Sequence, residues 1–406
     1  MDIRPILSTL LRHKTAAALI VIEIALSCAI ICNAVFLITE RVESIHSSTG
    51  IDEHNLVHIQ LTGLGRNQNA MALTRQDLAT LRAIPGVESV SISNQIPLGH
   101  GSWNTGVMNT PDQKLPTLNS TLYLGSPSLL DTLGLKLIAG RKLDPGSYTE
   151  FDPDIGLSSI KPSSALINKD FADKMFPGES AVGKQFYVGT DQPVTVVGVV
   201  ERLARPIYRG TATGEYSMLL PIDVPYTGGG NYLLRTTPER RAEVLQAALK
   251  VLKQNSSGRV VLEKHTYDDV RAEYYRQDKA MVWLLAIICV ALLTVTAFGI
   301  VGLANFWVQQ RTKQIGIRRA LGATHGQVLR YFQTENFLLA SIGIALGMLL
   351  AYVINLWLMS RYELPRLPLA YLPLGAVVLW LLGQLAVLGP ARRAARVPPA
   401  VATRSA

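Results

Sequence analysis

TAAALIVIEIALSCAIICNAVFLIT, residues Thr15–Thr39, holds one charged side chain, Glu23, in 25 residues. A helix needs about 20 predominantly apolar residues to cross ~30 Å of hydrocarbon, and this stretch exceeds that. Ala280–Val308, Asn336–Ser360 and Leu367–Ala391 do the same with no charge at all. Four such stretches predict an integral membrane protein. The first is too long for the apolar region of a secretory leader, and no small-residue cleavage site follows it.

The formal net charge of +9 over 406 residues invites a nucleic-acid reading. Its distribution removes that reading. The hydrophilic stretch 40–279 holds 25 Lys and Arg against 26 Asp and Glu. The excess lies beside the apolar stretches. It is carried by Arg4, Arg12 and Lys14, by Arg311, Lys313, Arg318, Arg319 and Arg330, and by Arg392, Arg393, Arg396 and Arg404. All three basic segments fall on one side of a four-span topology. The preference of Lys and Arg for the cytoplasmic side makes that side the cytoplasm. No nucleic-acid partner is expected, and the bilayer is.

The expected order is therefore a cytoplasmic segment at 1–14, a first span at 15–39 and an outer domain at 40–279. A second span at 280–308, a cytoplasmic loop at 309–335 and a third span at 336–360 follow. A short outer loop at 361–366, a fourth span at 367–391 and a cytoplasmic tail at 392–406 complete it. The cysteines Cys28, Cys32 and Cys289 all lie in spans, so the outer domain is held by its core and not by disulfides. The fold class is an α+β membrane protein, with four transmembrane helices and a large α/β domain outside.

Within that domain two segments share a layout. NLVHIQLTGLG (Asn55–Gly65) alternates like a strand, TRQDLATLRAI (Thr74–Ile84) has helical spacing with Thr74 as N-cap, and VESVSIS alternates again. NYLLRTT, PERRAEVLQAALKVLK and RVVLEKH repeat strand, helix and strand, with Pro238 in the helix's first turn. The two units occupy about 50–98 and 222–265. The Pro- and Gly-rich, β-rich stretch between them, about 99–221, reads as an inserted lobe. YDDVRAEYYRQDKAMVWLL reads as a stalk helix over about 266–279 that continues into the second span.

FPGESAVGKQF (Phe176–Phe186) nearly matches the phosphate loop G-x-x-x-x-G-K-[ST], with Gln185 in the last position. A phosphate loop follows a strand and opens a helix. Here SALINKDFADKMF, which looks helical, comes first and KQFYVG, which looks extended, comes second. The expected role is a turn that ends a helix. The histidines His46, His54, His58 and His100 show no metal-ligand spacing, and no enzymatic constellation emerges.

QQRTKQIGIRRALGATHGQVLRYFQTENFLL follows the second span. Ile317, Ala320, Leu321 and Thr324 share a helical face beside Arg318 and Arg319. Gly322 ends that helix. Thr324, with Gln327 three residues on, opens the next as a capping box. The pattern by itself fits a helix resting on anionic lipid as well as one docking on a protein.

RTKQIGIRRALGAT resembles the signature of FtsX-like permeases, the membrane subunits of MacB-type ABC systems, with Gln314 where Glu is common. PARRAARVPPAVATR (Pro390–Arg404) resembles the family's C-terminal tail. YLGSPSLLDTLGLKLIAGRKL, FPGESAVGKQF and TVVGVV resemble its periplasmic core domain, in the same order. The resemblance implies a porter-like lobe carrying an inserted lobe, in the periplasm of a bacterial inner membrane. It implies that Lys313, Gln314, Ile315, Gly316, Ile317, Arg318, Arg319, Ala320, Leu321, Gly322 and Ala323 couple to an ABC ATPase subunit. ATP and magnesium would reside on that subunit and no cofactor on this chain, since 14 residues precede the first span. It further implies a second permease, identical or paralogous, with a periplasmic adaptor and an outer-membrane channel as partners in export. Regulation of an envelope hydrolase or sensor, and lipoprotein release, are the alternative functions.

Glu23, Asn33 and Glu335 stand out among the polar residues in or beside the spans. A carboxylate in mid-span costs about 2.5–3.5 kcal/mol unless it meets a partner or is protonated, so Glu23 is expected to pack against another helix. Asn33 is expected to do the same. Glu335 stands at the start of the third span, where Arg330 and Arg319 are its nearest candidate partners.

Overall fold

The computed structural model describes residues 14–64, 69–152, 154–189, 192–207, 214–362 and 366–396. Most of the expected N-terminal segment, residues 363–365 of the short outer loop and the tail beyond 396 lie outside them. Contacts divide the chain into two units, residues 46–277 and the remainder.

The first helix, α1, spans Lys14–His46. The α/β unit then opens with β1 (Leu56–Gly63), α2 (Ala70–Arg82) and β2 (Ser89–Ser93). Its middle carries β3 (Asn104–Met108), β4 (Leu118–Leu124), α3 (Leu129–Leu133), β5 (Leu137–Gly140) and β6 (Thr149–Glu150). Next come β7 (Ser164–Asn168), α4 (Lys169–Met175), β8 (Gln185–Val188), β9 (Pro193–Val200), β10 (Ser217–Leu220) and β11 (Ile222–Asp223). It closes with β12 (Asn231–Arg235), α5 (Arg241–Asn255), β13 (Arg259–Thr266) and α6 (Tyr267–Tyr274).

The two strand–helix–strand units interleave. Their strands form one antiparallel sheet in the order β13-β1-β12-β2. Each unit is thus a split β-α-β, with a strand of the other unit between its own two. Alternation along β1 explains the layering. Val57, Ile59 and Leu61 join Val244, Ala248 and Leu252 of α5 in the core, while His58 and Gln60 face the other way. The buried α5 residues recur every four positions, one stripe of a helix.

At the helical layer Asp77 of α2 is fully buried. It accepts from Tyr232 Oη at 2.6 Å and Asn255 Nδ2 at 2.8 Å, and pairs with the buried Arg259 of β13. One carboxylate thereby ties α2, β12, α5 and β13 together, with its charge neutralised and its oxygens bonded. A buried charge is tolerated on those terms.

Seven of the nine strands between β2 and β12 form a second sheet, ordered β5-β9-β7-β10-β4-β3-β8, in which β8 also pairs with β9, while β6 and β11 pair with each other. Six strands thus close into a ring around Val107, Leu122, Ile167, Phe186, Val196 and Met218, with β5 added on β9. Closure leaves those strands no free edge.

Three local expectations change. The helix read as starting at Thr74 starts at Ala70, because Ala70–Leu73 are strong helix formers. Thr74 is therefore interior, its Oγ1 donating to Ala70 O at 2.8 Å and accepting from Tyr226 N at 2.9 Å. SALINKDFADKMF is not all helix. SALIN is β7, buried between β9 and β10, and Asn168 caps α4 by accepting from Phe171 N. The stalk helix is interrupted, α6 ending where Tyr275 leaves helical geometry.

The remaining unit carries α1 with α7 (Arg276–Gln310), α8 (Thr312–Ala320), α9 (His325–Tyr362) and α10 (Tyr371–Ala395). Helices α1, α7, α9 and α10 are each long and apolar enough to cross a membrane. The chain is a membrane protein.

Candidate functional site

Helix α8 is short and closed at its end by backbone chemistry. Ala323 N bonds Arg318 O at 3.0 Å and Gly322 N bonds Arg319 O at 3.1 Å. This is the two-bond C-terminal motif that needs a left-handed residue, and Gly322 supplies it at φ +98°. Thr324 and Gln327 then cap α9 reciprocally, at 2.9 and 3.3 Å. Two helices therefore meet at a turn fixed by its own hydrogen bonds.

The faces of α8 differ. Ile315 and Gly316 are buried, and Ile315 joins Val328, Phe332, Val387 and Ala391 in the core of the helical unit. Lys313, Gln314, Ile317, Arg318, Ala320, Leu321 and Gly322 are exposed, with Leu321 at 83%. Ala323 is half-buried. Arg318 lies over the ring of Tyr331 at 5.3 Å, and Arg319 reaches His325 at 3.2 Å. The surface presented is apolar at Ile317 and Leu321 and basic around them.

The site also has an anchor that sequence proximity did not reveal. Arg311, in the one-residue break between α7 and α8, is buried, and its Nη1 lies 3.0 and 2.8 Å from the two oxygens of Glu335 on α9. Its guanidinium stacks over Trp307 at 5.3 Å. Glu335 thus pairs with the arginine one turn before the loop's basic cluster, which was not among the candidates Arg330 and Arg319. Beside this pair, Trp307, Glu335 and Asn336 line a cavity of about 20 Å³. Trp307 Nε1 and Asn336 Nδ2 are buried there without a protein partner. That space suits roughly one water.

Deeper in the bundle, Asn33 donates to Ala29 O at 3.0 Å and across to Ala351 O of α9 at 3.1 Å. Ser27 and Thr296 hydroxyls meet at 2.9 Å between α1 and α7. The Glu23 carboxylate packs on Gly299 of α7, where an added Cβ would stand 2.5 Å from Oε2.

FPGESAVGKQF is a turn between α4 and β8. Gly183 N is bonded to Val196 O and Lys184 N to Ala181 O, while Lys184 Nζ pairs with Glu179 at 2.6 Å. These amides are occupied by backbone carbonyls, and the element order is the reverse of a phosphate loop. Among the described residues no group of three or more His, Cys, Asp or Glu is arranged to hold a metal ion.

Four apolar helices, with a basic helix between the second and third and a large α/β unit between the first and second, define a four-span membrane protein. Residues 15–252 match the MacB-like periplasmic core domain and residues 286–399 the FtsX-like permease C-terminal family. The chain belongs to the MacB-type, FtsX-like family of ABC transporter permeases. It is 27% identical over 310 residues to the macrolide export ATP-binding/permease protein MacB of Shewanella sp. (strain ANA-3), covering 71% of this chain and 42% of that protein. It is 30% identical over 265 residues to the pyoverdine export ATP-binding/permease protein PvdT of Pseudomonas entomophila (strain L48), covering 59% and 38%. The chain thus spans less than half the length of either relative. The crystal structure of the periplasmic region of MacB from Actinobacillus actinomycetemcomitans aligns with 57% of this chain and 97% of its own, at 16% identity and a TM-score of 0.34.

Proposed function

We propose that this chain is the permease subunit of an ABC exporter, driven by an ATPase on a separate chain. Helix α8 is the coupling element. Its exposed Ile317 and Leu321 enter the ATPase surface, and Arg318 and Arg319 flank that contact. The buried Arg311–Glu335 pair carries the reading, because a docking helix transmits force only if its base is fixed to the helices it must move. An exposed surface helix lacking such an anchor would rock independently.

In this reading the spans form no substrate path. ATP-driven closure of two ATPases moves α7 and α9 in a pair of permeases, and the α/β units respond in the periplasm of an inner-membrane complex. A periplasmic adaptor and an outer-membrane channel complete the export route. ATP and magnesium belong to the partner.

Co-purification with the ATPase from native membranes tests the assignment. Ile317→Asp combined with Leu321→Asp should abolish ATPase capture while leaving the permease folded. Undiminished capture and undiminished permease-stimulated ATP hydrolysis by that variant would refute it.

A further inference from the structure

The four-stranded sheet has two edges, and the chain treats them differently. The outer edge of β2 is sealed by the residues that lead into α3. Ile92 O accepts from Ser126 N at 3.2 Å, and Val90 O accepts from Ser128 Oγ at 2.6 Å. At the other edge β13 pairs with β1 alone. Among the described residues no other segment hydrogen-bonds its backbone from Val260 to His265. An open edge is a template for a further strand, and folded proteins blunt it with charge, proline or brevity. β13 is eight residues long and carries Val260, Val261 and Leu262 in succession, 41%, 41% and 55% exposed.

A bulge shapes what lies beside that edge. Gln60 is opposite Glu263 and Leu61 opposite Val261, so Leu262 is the extra residue. A bulge interrupts the strict alternation of faces, and Val261 and Leu262 both line one groove. Leu249 and Leu252 of α5 form its other wall, and its volume is about 390 Å³. No acid lines it, whereas Lys253, Arg259 and Lys264 do. The charge of Arg259 is matched by Asp77. Lys253 and Lys264 are exposed and have no ion-pair partner among the described residues. The groove is apolar between its walls and positive at its rim.

Edge and groove together define an occupant. A strand added to β13 sends alternate side chains to the α5 side. A central apolar side chain would enter between Leu249 and Leu262, and the residues two positions to either side would reach the lysines. Main-chain bonds to the edge supply affinity in such additions, and pockets for alternate side chains supply selection. Charge complementarity asks for acids at those flanking positions. A second copy of β13 would instead bring its own Lys264 to a rim that is already positive.

We propose that the free edge of β13, with the groove between it and α5, docks an extended segment of another protein. That segment has an apolar residue flanked, two positions away on either side, by Asp or Glu. The assignment does not depend on the transport reading.

The test replaces Val260, beside the groove but outside its lining, with a photo-crosslinking phenylalanine derivative in the full chain in its native membranes. Mass spectrometry then maps the crosslinked peptide. One peptide with the acid–apolar–acid spacing is expected. Adding Lys253→Glu with Lys264→Glu should lower its yield at least tenfold. Both lysines are exposed, so that variant should keep the wild-type melting temperature. A crosslink to β13 of a second copy, a peptide without the acids, no protein crosslink, or a yield unchanged by charge reversal would each overturn the proposal.

Discussion

Arg311 and Glu335 face each other across the base of the loop helix, Nη1 standing 2.8 and 3.0 Å from the carboxylate oxygens with both residues buried. Removing one member deprives the other buried charge of this partner, which costs about 3–5 kcal/mol. Arg311→Ala and Glu335→Ala should therefore each lower the melting temperature in detergent markedly. The double variant should recover part of the loss, because it removes both charges of the pair. Equal melting of all three and the wild type would show that the pair does not hold α7 to α9.

The two isoleucines of α8 should separate folding from docking. Ile315 is 7% exposed and lies in the helical core, whereas Ile317 is 48% exposed. Ile315→Asp should destabilise the permease by several kcal/mol, since it places a charge in a packed apolar site. Ile317→Asp should leave the melting temperature within about a degree of wild type, as surface substitutions do. Thermal melts of the two purified variants decide this without the partner.

Asp77 offers the corresponding test in the α/β unit. Asp77→Ala removes the partner of buried Arg259 and the acceptor of Tyr232 and Asn255. A loss of about 3–5 kcal/mol is expected. Hydrogen exchange should locate the loosening in α2 and β13. Exchange unchanged there would contradict the role given to this carboxylate.

Gly299 should tolerate no side chain. A Cβ there would meet the Glu23 carboxylate at 2.5 Å, so Gly299→Val should push α1 from α7. Shortening the other side with Glu23→Ala should rescue Gly299→Val in part, as measured by yield of monodisperse protein. Absence of any rescue would indicate that the clash lies elsewhere.

Glu215 predicts a pH dependence. Burial raises its pKa, against the opposing effects of a hydrogen bond from Arg205 N and the charges of Arg202 and Arg205. A carboxyl whose folded pKa is raised binds its proton more tightly in the folded chain. Stability is therefore lost as pH climbs from the unfolded value of about 4.3 through the folded one. Glu215→Gln should flatten that slope. Melting curves across the window should show the wild type falling more steeply than the variant, and parallel curves would refute the shift.

What could be read from the chain was local. The spans follow from length and charge, and strands such as β1 and helices such as α5 follow from periods of two and of about four. The capping box at Thr324 and the break at Gly322 likewise need only neighbouring residues. Non-local facts escaped. Arg311, a partner of Glu335, lies 24 positions away and resembles several other loop arginines in sequence. Thr74 looked like a cap because its bond to Tyr226 comes from 152 residues downstream. SALIN gave no sign of its burial between β9 and β10. His58 and His265 become neighbours only through strand register, and ring closure rests on one pairing, β8 with β9.

The closed ring of strands begins and ends at one point of its host sheet. The chain leaves β2 at Ser93 and returns to β12 at Asn231, and these two residues are register partners. A tight hairpin turn could join them directly without shifting the four-stranded sheet. The ring is therefore a cassette. Its length and content can change while β2 and β12 keep their pairing.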